Sequence, residues 1–284
     1  MTVAVPPGAC DSHVHVFDPR FALDPNRTYT PGTATGAQLD EVHRRLGVSR
    51  TVLVQPSPYG VDNSCLFSEL RARGEQARGV VVLDPGTEPP LREWHAAGVR
   101  GARVNLATFA LIDPAVALAS LRAVATAIAD LGWHLQLFTE PAVVAALADE
   151  LAGLGVPVVL DHFAMASPES GPRQPGFAEL IDLLRAGVVY VKMSAPHRIS
   201  CRPYQADVEW IACTLIGNAP DRLLWGTDWP HTGGRARTTD NRLTVEPFRT
   251  EDDAAALHRL MGWAGADVSR QILVDNPAAL YGFG

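Results

Sequence analysis

The stretch Trp133 to His162, WHLQLFTEPAVVAALADELAGLGVPVVLDH, decides the fold. It opens on a short run rich in apolar residues, Trp133 to Phe138. It continues through an Ala/Leu-rich helical pattern, Pro141 to Leu154, stopped by Gly155. It closes on a second apolar run, Pro157 to His162. Two short strands separated by a helix require a crossover, so they lie parallel in one sheet.

Working outward, the same unit recurs. Further candidate strands are Cys10 to Val16, Arg50 to Gln55, Gly79 to Asp84, Val99 to Val104, Val188 to Ser194 and Leu223 to Asp228. Helical patterns lie between them at Gln38 to Leu46, Ala115 to Leu131, Phe177 to Ala186 and Ala206 to Asn218. Glycine follows the periodic stretch at Gly47, Gly98, Gly132, Gly155 and Gly187, as expected of helix ends. Starts come roughly every 30 residues, the size of one strand-plus-helix unit. Eight such units predict a (β/α)8 TIM barrel spanning 1–284 as a single domain. No G-x-G-x-x-G follows an early strand, which lowers the dinucleotide-binding alternative.

The 284 residues carry 24 Lys and Arg against 31 Asp and Glu, a formal net charge of −7. That balance argues against nucleic acid or an anionic membrane as partner, and leaves small molecules and a homo-oligomer open. No run approaches the ~18 apolar residues of a membrane span, and Met1 to Ala9 lacks a signal-peptide pattern. The four cysteines show no C-x-x-C spacing and read as reduced thiols, so a cytoplasmic location is expected.

The chemistry sits at the strand ends. Asp11-Ser12-His13-Val14-His15 places two histidines at i and i+2, a spacing that turns both to one face of an extended strand. The sixth strand is apolar until Asp161-His162. The eighth ends Gly226-Thr227-Asp228-Trp229-Pro230-His231. A closed barrel sets the first strand beside the eighth, so His13, His15, His162 and Asp228 are expected to converge at the C-terminal mouth, where barrel loops build active sites. Loops Ser167 to Gly176 and Thr232 to Leu243 are expected over that site. There is no G-x-S-x-G elbow and no cysteine in a nucleophile's setting, leaving water as nucleophile.

These strand-end motifs, in this order, resemble the amidohydrolase superfamily, and within it the branch related to 2-pyrone-4,6-dicarboxylate lactonase. The likeness runs over essentially the whole chain and also touches Val54-Gln55-Pro56-Ser57, Gly98 to Arg103 and Met193 to Arg198. The resemblance implies a hydrolase that opens a lactone ester. It implies Asp228 as the general base, and His13, His15 and His162 as the groups that polarise the carbonyl. It implies Ser57, Arg103, Arg198 and His231 as substrate-binding residues.

Binuclear members carry a carbamylated Lys on the fourth strand, where this chain has Arg103. Decarboxylase-like members add a His at the end of the fifth strand, where Phe138 and Thr139 stand, while His134 opens that strand at the wrong end. Either no metal or a single zinc on His13, His15, His162 and Asp228 remains open. Phe138, Met165 and the apolar run Leu106 to Ile112 stand where the namesake enzyme's phenolic and cationic groups are. A less anionic substrate with about one carboxylate is therefore expected. Alternatives on the same barrel are a metal-dependent decarboxylase of an aromatic or unsaturated acid, a lactone isomerase and a silent binding protein.

Other polar residues receive plainer readings. His43, His95 and His258 are expected at the surface or its boundary, and Arg235, Arg237 and Arg242 in a solvated loop, with capture of a substrate anion or an oligomer contact as lesser readings. His197 is a candidate pocket residue, and Tyr59 and Trp229 are candidate stacking groups or lids.

Overall fold

The computed structural model describes residues 4–107, 114–234 and 236–284. Most of the expected apolar run Leu106 to Ile112, and Arg235, therefore lie outside the described residues. The eight expected strands are all present, as Cys10–Val14, Arg50–Val54, Ala77–Val81, Val99–Asn105, His134–Phe138, Val158–Leu160, Val189–Ser194 and Leu223–Gly226. Each pairs in parallel with the next in chain order. The ring closes where Asp228 N donates to His13 O at 2.9 Å and His15 N to Trp229 O at 2.8 Å. This is a (β/α)8 barrel.

Local chemistry accounts for the elements. In the helix Gly36–Leu46, Gln38 Oε1 accepts the Thr35 N–H at 2.8 Å, and Gly47 ends the helix at φ 72°. The expected helix Pro141 to Leu154 is broken into Pro141–Ala146 and Ala148–Ala152. The break falls at Leu147, whose φ of −115° leaves the helical range.

Two apolar layers hold the barrel. The larger packs helices against the outer strand faces and includes Leu39, Leu121, Leu135, Leu160 and Leu215. The smaller joins Cys10, Val52, Val54, Val80, Val159 and Leu224 with Tyr281 and Phe283 near the chain end. At the closing seam a Cβ on Gly226 would lie 2.7 Å from His13 N and 2.8 Å from His13 Cβ, so only glycine lets the eighth strand approach the first.

Two further strands, Thr30–Pro31 and Val245–Glu246, pair in parallel. They join the loop after the first strand to the loop after the eighth, outside the barrel sheet. All four cysteines are free, with Cys10 and Cys65 buried. Among the described residues no helix is long and apolar enough to cross a membrane.

Candidate active site at the barrel mouth

The expected i, i+2 geometry of His13 and His15 is modified. The first strand ends at Val14, and its pairing with the second strand slips between Asp11 and Val14. Such an irregularity re-aims side chains, and here the two rings meet with Nε2 atoms 3.2 Å apart. Asp11 anchors the tip from outside. Its carboxylate accepts Thr227 N at 2.9 Å and Thr227 Oγ1 at 2.6 Å, and His43 Nε2 lies at 3.2 Å. His43, expected at the surface or its boundary, is thus a buried partner of the site's foundation.

Asp228 Oδ1 lies 3.6 Å from His13 Nε2, 3.5 Å from His15 Nε2 and 3.9 Å from His162 Nε2. The four side chains read from the sequence therefore converge. Asp228 and His162 leave their strands with φ of 63° and 51°, a left-handed conformation costing about 1–2 kcal/mol for residues with a Cβ. The packing that holds this strain aims both side chains inward.

Behind the rings lies a second set of contacts. His15 Nδ1 faces Val54 O at 2.8 Å, and His162 Nδ1 faces Ser194 Oγ at 2.9 Å. His13 Nδ1 is 3.2 Å from Asp161 Oδ1. Asp161 Oδ2 accepts from Arg103 at 3.1 Å and from Gln136 Nε2 at 3.2 Å. Lys192, fully buried, donates to Gln136 Oε1 at 2.6 Å. Gln136 and Lys192 carry no signal in the sequence, because each is one polar residue inside an otherwise apolar strand.

Burial sets the charge states. It pushes the His13 imidazole down to about 4 and His162 well below its usual value, so both are neutral near pH 7. Burial alone would raise Asp228 and Asp161, but nearby cations reverse the direction. Arg198 holds Asp228 well below the carboxylate range, and His13, then Arg103 and Lys192, do the same for Asp161. The Lys192 ammonium is lowered to about 8 by burial, against the pull of Asp161.

Arg198 grips Asp228 Oδ2 through Nε at 2.9 Å and Nη2 at 2.7 Å. Asp228 Oδ1 has no hydrogen-bond partner of good geometry among the described residues. Above the cluster opens a cavity of about 300 Å³, walled by His15, His162, Ser57, Arg103, Arg198 and Arg237 among others. Phe138 and Met165 add apolar wall.

Several expected placements differ. His231 faces Asp253, with Nε2 3.2 Å from Oδ1, and lines a neighbouring cavity together with Trp229. His197 is nearly buried, 4.0 Å from Asp228 Oδ2, and absent from the cavity wall. Tyr59 is a strut, its hydroxyl bonded to Asp18 N and O at 2.9 and 3.0 Å. Arg237 is no solvated loop residue: it stacks 3.5 Å over Tyr29, is ion-paired with Glu246 at 2.8 Å and reaches the cavity. The loop Ser167 to Gly176 contributes no cavity wall, because Gln174 ties it to itself through Ser167 and Gly171.

The donor set suits a cation. His13, His15 and Asp228 offer ligand atoms all within 4.8 Å of one another, as do His13, Asp161 and His162. Imidazole nitrogens plus one carboxylate oxygen are zinc-type ligands, and the contacts behind the rings are of the kind that orient such ligands. The partnerless Asp228 Oδ1 faces the same point.

Residues 10–283 match the amidohydrolase family model. A 2-pyrone-4,6-dicarboxylate hydrolase of Comamonas testosteroni is 33% identical over 98% of this chain and 91% of its own. A 4-sulfomuconolactone hydrolase of Hydrogenophaga intermedia is 32% identical over 98% and 90%. A crystal structure from Agrobacterium tumefaciens shares the fold with a TM-score of 0.83 at 24% identity, covering 99% of this chain and 98% of that one.

Proposed function

This chain belongs to the amidohydrolase family, and from that premise we propose that it hydrolyses a lactone or related cyclic ester of a small organic acid. The observation that carries the reading is Asp228 itself. One oxygen is clamped by Arg198, and the other is turned without a partner toward three imidazoles beneath an open cavity. That is an anionic base aimed where water and an ester carbonyl would meet.

Asp228 takes a proton from water as the water oxygen bonds to the carbonyl carbon. The ring C–O bond then breaks, and the departing oxygen receives that proton. Held low by Arg198, Asp228 is a weak base in the free protein. A substrate carboxylate on Arg198 shares the guanidinium and returns basicity to Asp228 once substrate is bound. His15 and His162 flank the reacting carbonyl, with His13 supporting them from below.

A single zinc ion would be held by His13, His15, His162 and Asp228. When bound it would polarise the carbonyl and acidify water.

The cavity supports a substrate with about one carboxylate. Arg103, Arg198 and Arg237 are each already matched by Asp161, Asp228 and Glu246, leaving little cationic surplus. Phe138 and Met165 offer apolar contact to the remainder. Substrate closing this cavity displaces solvent, which strengthens the same ion pairs.

The test is turnover of a lactone panel in H2-18O. Ring-opened product carrying one solvent oxygen in its new carboxylate is expected. An isomerised lactone without solvent oxygen, or loss of CO2, would replace this reading.

A further inference from the structure

Lys192 has no role in the chemistry above, yet it is fully buried mid-strand beneath the histidines. Burying an ammonium is costly, and its partners show how it is held. Nζ donates to Gln136 Oε1 at 2.6 Å, lies 3.8 Å from Asp161 Oδ1 and reaches His13 Nδ1 at 3.4 Å. His13 Nδ1 therefore faces two competitors. Asp161 Oδ1, at 3.2 Å, can only accept a proton's hydrogen bond, and the ammonium can only donate one.

The two outcomes present opposite faces of the neutral ring to the cavity. With Asp161 as partner, the proton sits on Nδ1 and Nε2 offers a lone pair. His15 must donate its own Nδ1–H to Val54 O, so its Nε2 is also a lone pair. Two lone pairs would then stand 3.2 Å apart beside the Asp228 carboxylate, an arrangement that calls for a cation. With Lys192 as partner, the His13 proton moves to Nε2. From there it points at His15 Nε2 at 3.2 Å, so one of the two lone pairs is taken up by the other ring, while Asp228 Oδ1 stays at 3.6 Å without a hydrogen bond. Only the second arrangement gives the buried ammonium a second hydrogen-bond acceptor.

We propose that Lys192 is a positioning residue that fixes His13 as its Nε2–H tautomer and so weakens the hold of the four-residue cluster on a divalent ion. The ammonium also repels any divalent ion placed on the far side of the ring. Without Lys192 the same side chains become a tighter cation site. The inference concerns the resting state of the cluster and holds whichever ester is opened.

Two measurements test it. In chelator-stripped wild type labelled with 15N-histidine, two-bond proton–nitrogen correlations are expected to show His13, assigned against His13→Asn, protonated on Nε2. Zn2+ affinity, read by competition with a chromophoric chelator, is expected to be at least about tenfold tighter in Lys192→Met and Lys192→Gln than in wild type. Nδ1 protonation of His13 in the stripped wild type overturns the proposal, as does a folded variant with unchanged or weaker Zn2+ affinity. If neither variant folds, the wild-type tautomer alone decides.

Discussion

The two ends of this barrel bury polar groups in opposite ways. At the base, Arg78 donates to the backbone carbonyls of Tyr281 and Gly282 at 3.2 and 2.8 Å, and its guanidinium lies 4.6 Å from the centre of the Phe283 ring. His134 meets Tyr281 edge to face in the same region. Arg78 fastens residues 281–283 to the bottom of the barrel, while His134 is held there by ring packing. At the mouth, side chains bind one another, Arg198 to Asp228 and Arg103 to Asp161, and the clusters stop at a cavity. Arg78, bonded to backbone carbonyls, stabilises; at the mouth charged side chains hold one another beside a cavity, which is the arrangement the proposed chemistry needs.

The comparison breaks most visibly at Asp228. Asp228→Asn is expected to lower kcat/KM on an accepted lactone by about 10³-fold, while Arg78→Met leaves it within a few fold. Equal activity of wild type and Asp228→Asn in steady-state assays would remove Asp228 as the base. Arg198→Met comes next. It takes away both the clamp on Asp228 and the proposed carboxylate contact, so KM should rise about 10- to 100-fold. A fall in kcat at constant KM would instead place Arg198 outside substrate binding.

Gly226→Ala probes the seam between the two ends. The methyl would collide with His13 backbone, at a cost of about 1–3 kcal/mol in urea unfolding, together with loss of activity. Loss of stability with full activity would show that the seam adjusts without moving His13.

An effect confined to acid pH sharpens the base. Burial pushes His134 down from 6.5 to about 3. The unfolded chain therefore binds the extra proton between those values. Stability from this residue is complete above about pH 6.5 and falls as the medium is acidified toward 3, by up to about 1.4 kcal/mol per pH unit. His134→Met should flatten that acid limb between pH 6.5 and 5, measured by urea midpoints. Parallel limbs would mean that His134 is no less basic in the fold than outside it.

Eight strands could be read because each is a short apolar run with a helix and often a glycine stop behind it. His13, His15, His162 and Asp228 were legible because they stand at the tips of such runs, where packing alone would not place them. Lys192 and Gln136 were hidden by their position in mid-strand, since inside and outside of a parallel barrel are both buried and no alternation marks them. The partners of His43, His231 and Arg237 were hidden for a related reason. Their surroundings are set by Asp11, Asp253 and Glu246, partners brought close only by the fold. The pair Thr30–Pro31 with Val245–Glu246 is too short for any periodicity.

The seam has a bearing on how the molecule comes into being. Asp11 and Thr227, hydrogen-bonded at the closing edge, are 216 positions apart. The histidines of the first strand are made early in synthesis, and their carboxylate arrives only when the last strand emerges. Closing so long a loop is entropically demanding and slow. A ribosome-bound chain with seven strands would have both histidines and no Asp228 for them to meet, so the appearance of hydrolytic competence would mark, in time, the moment at which the ring becomes whole.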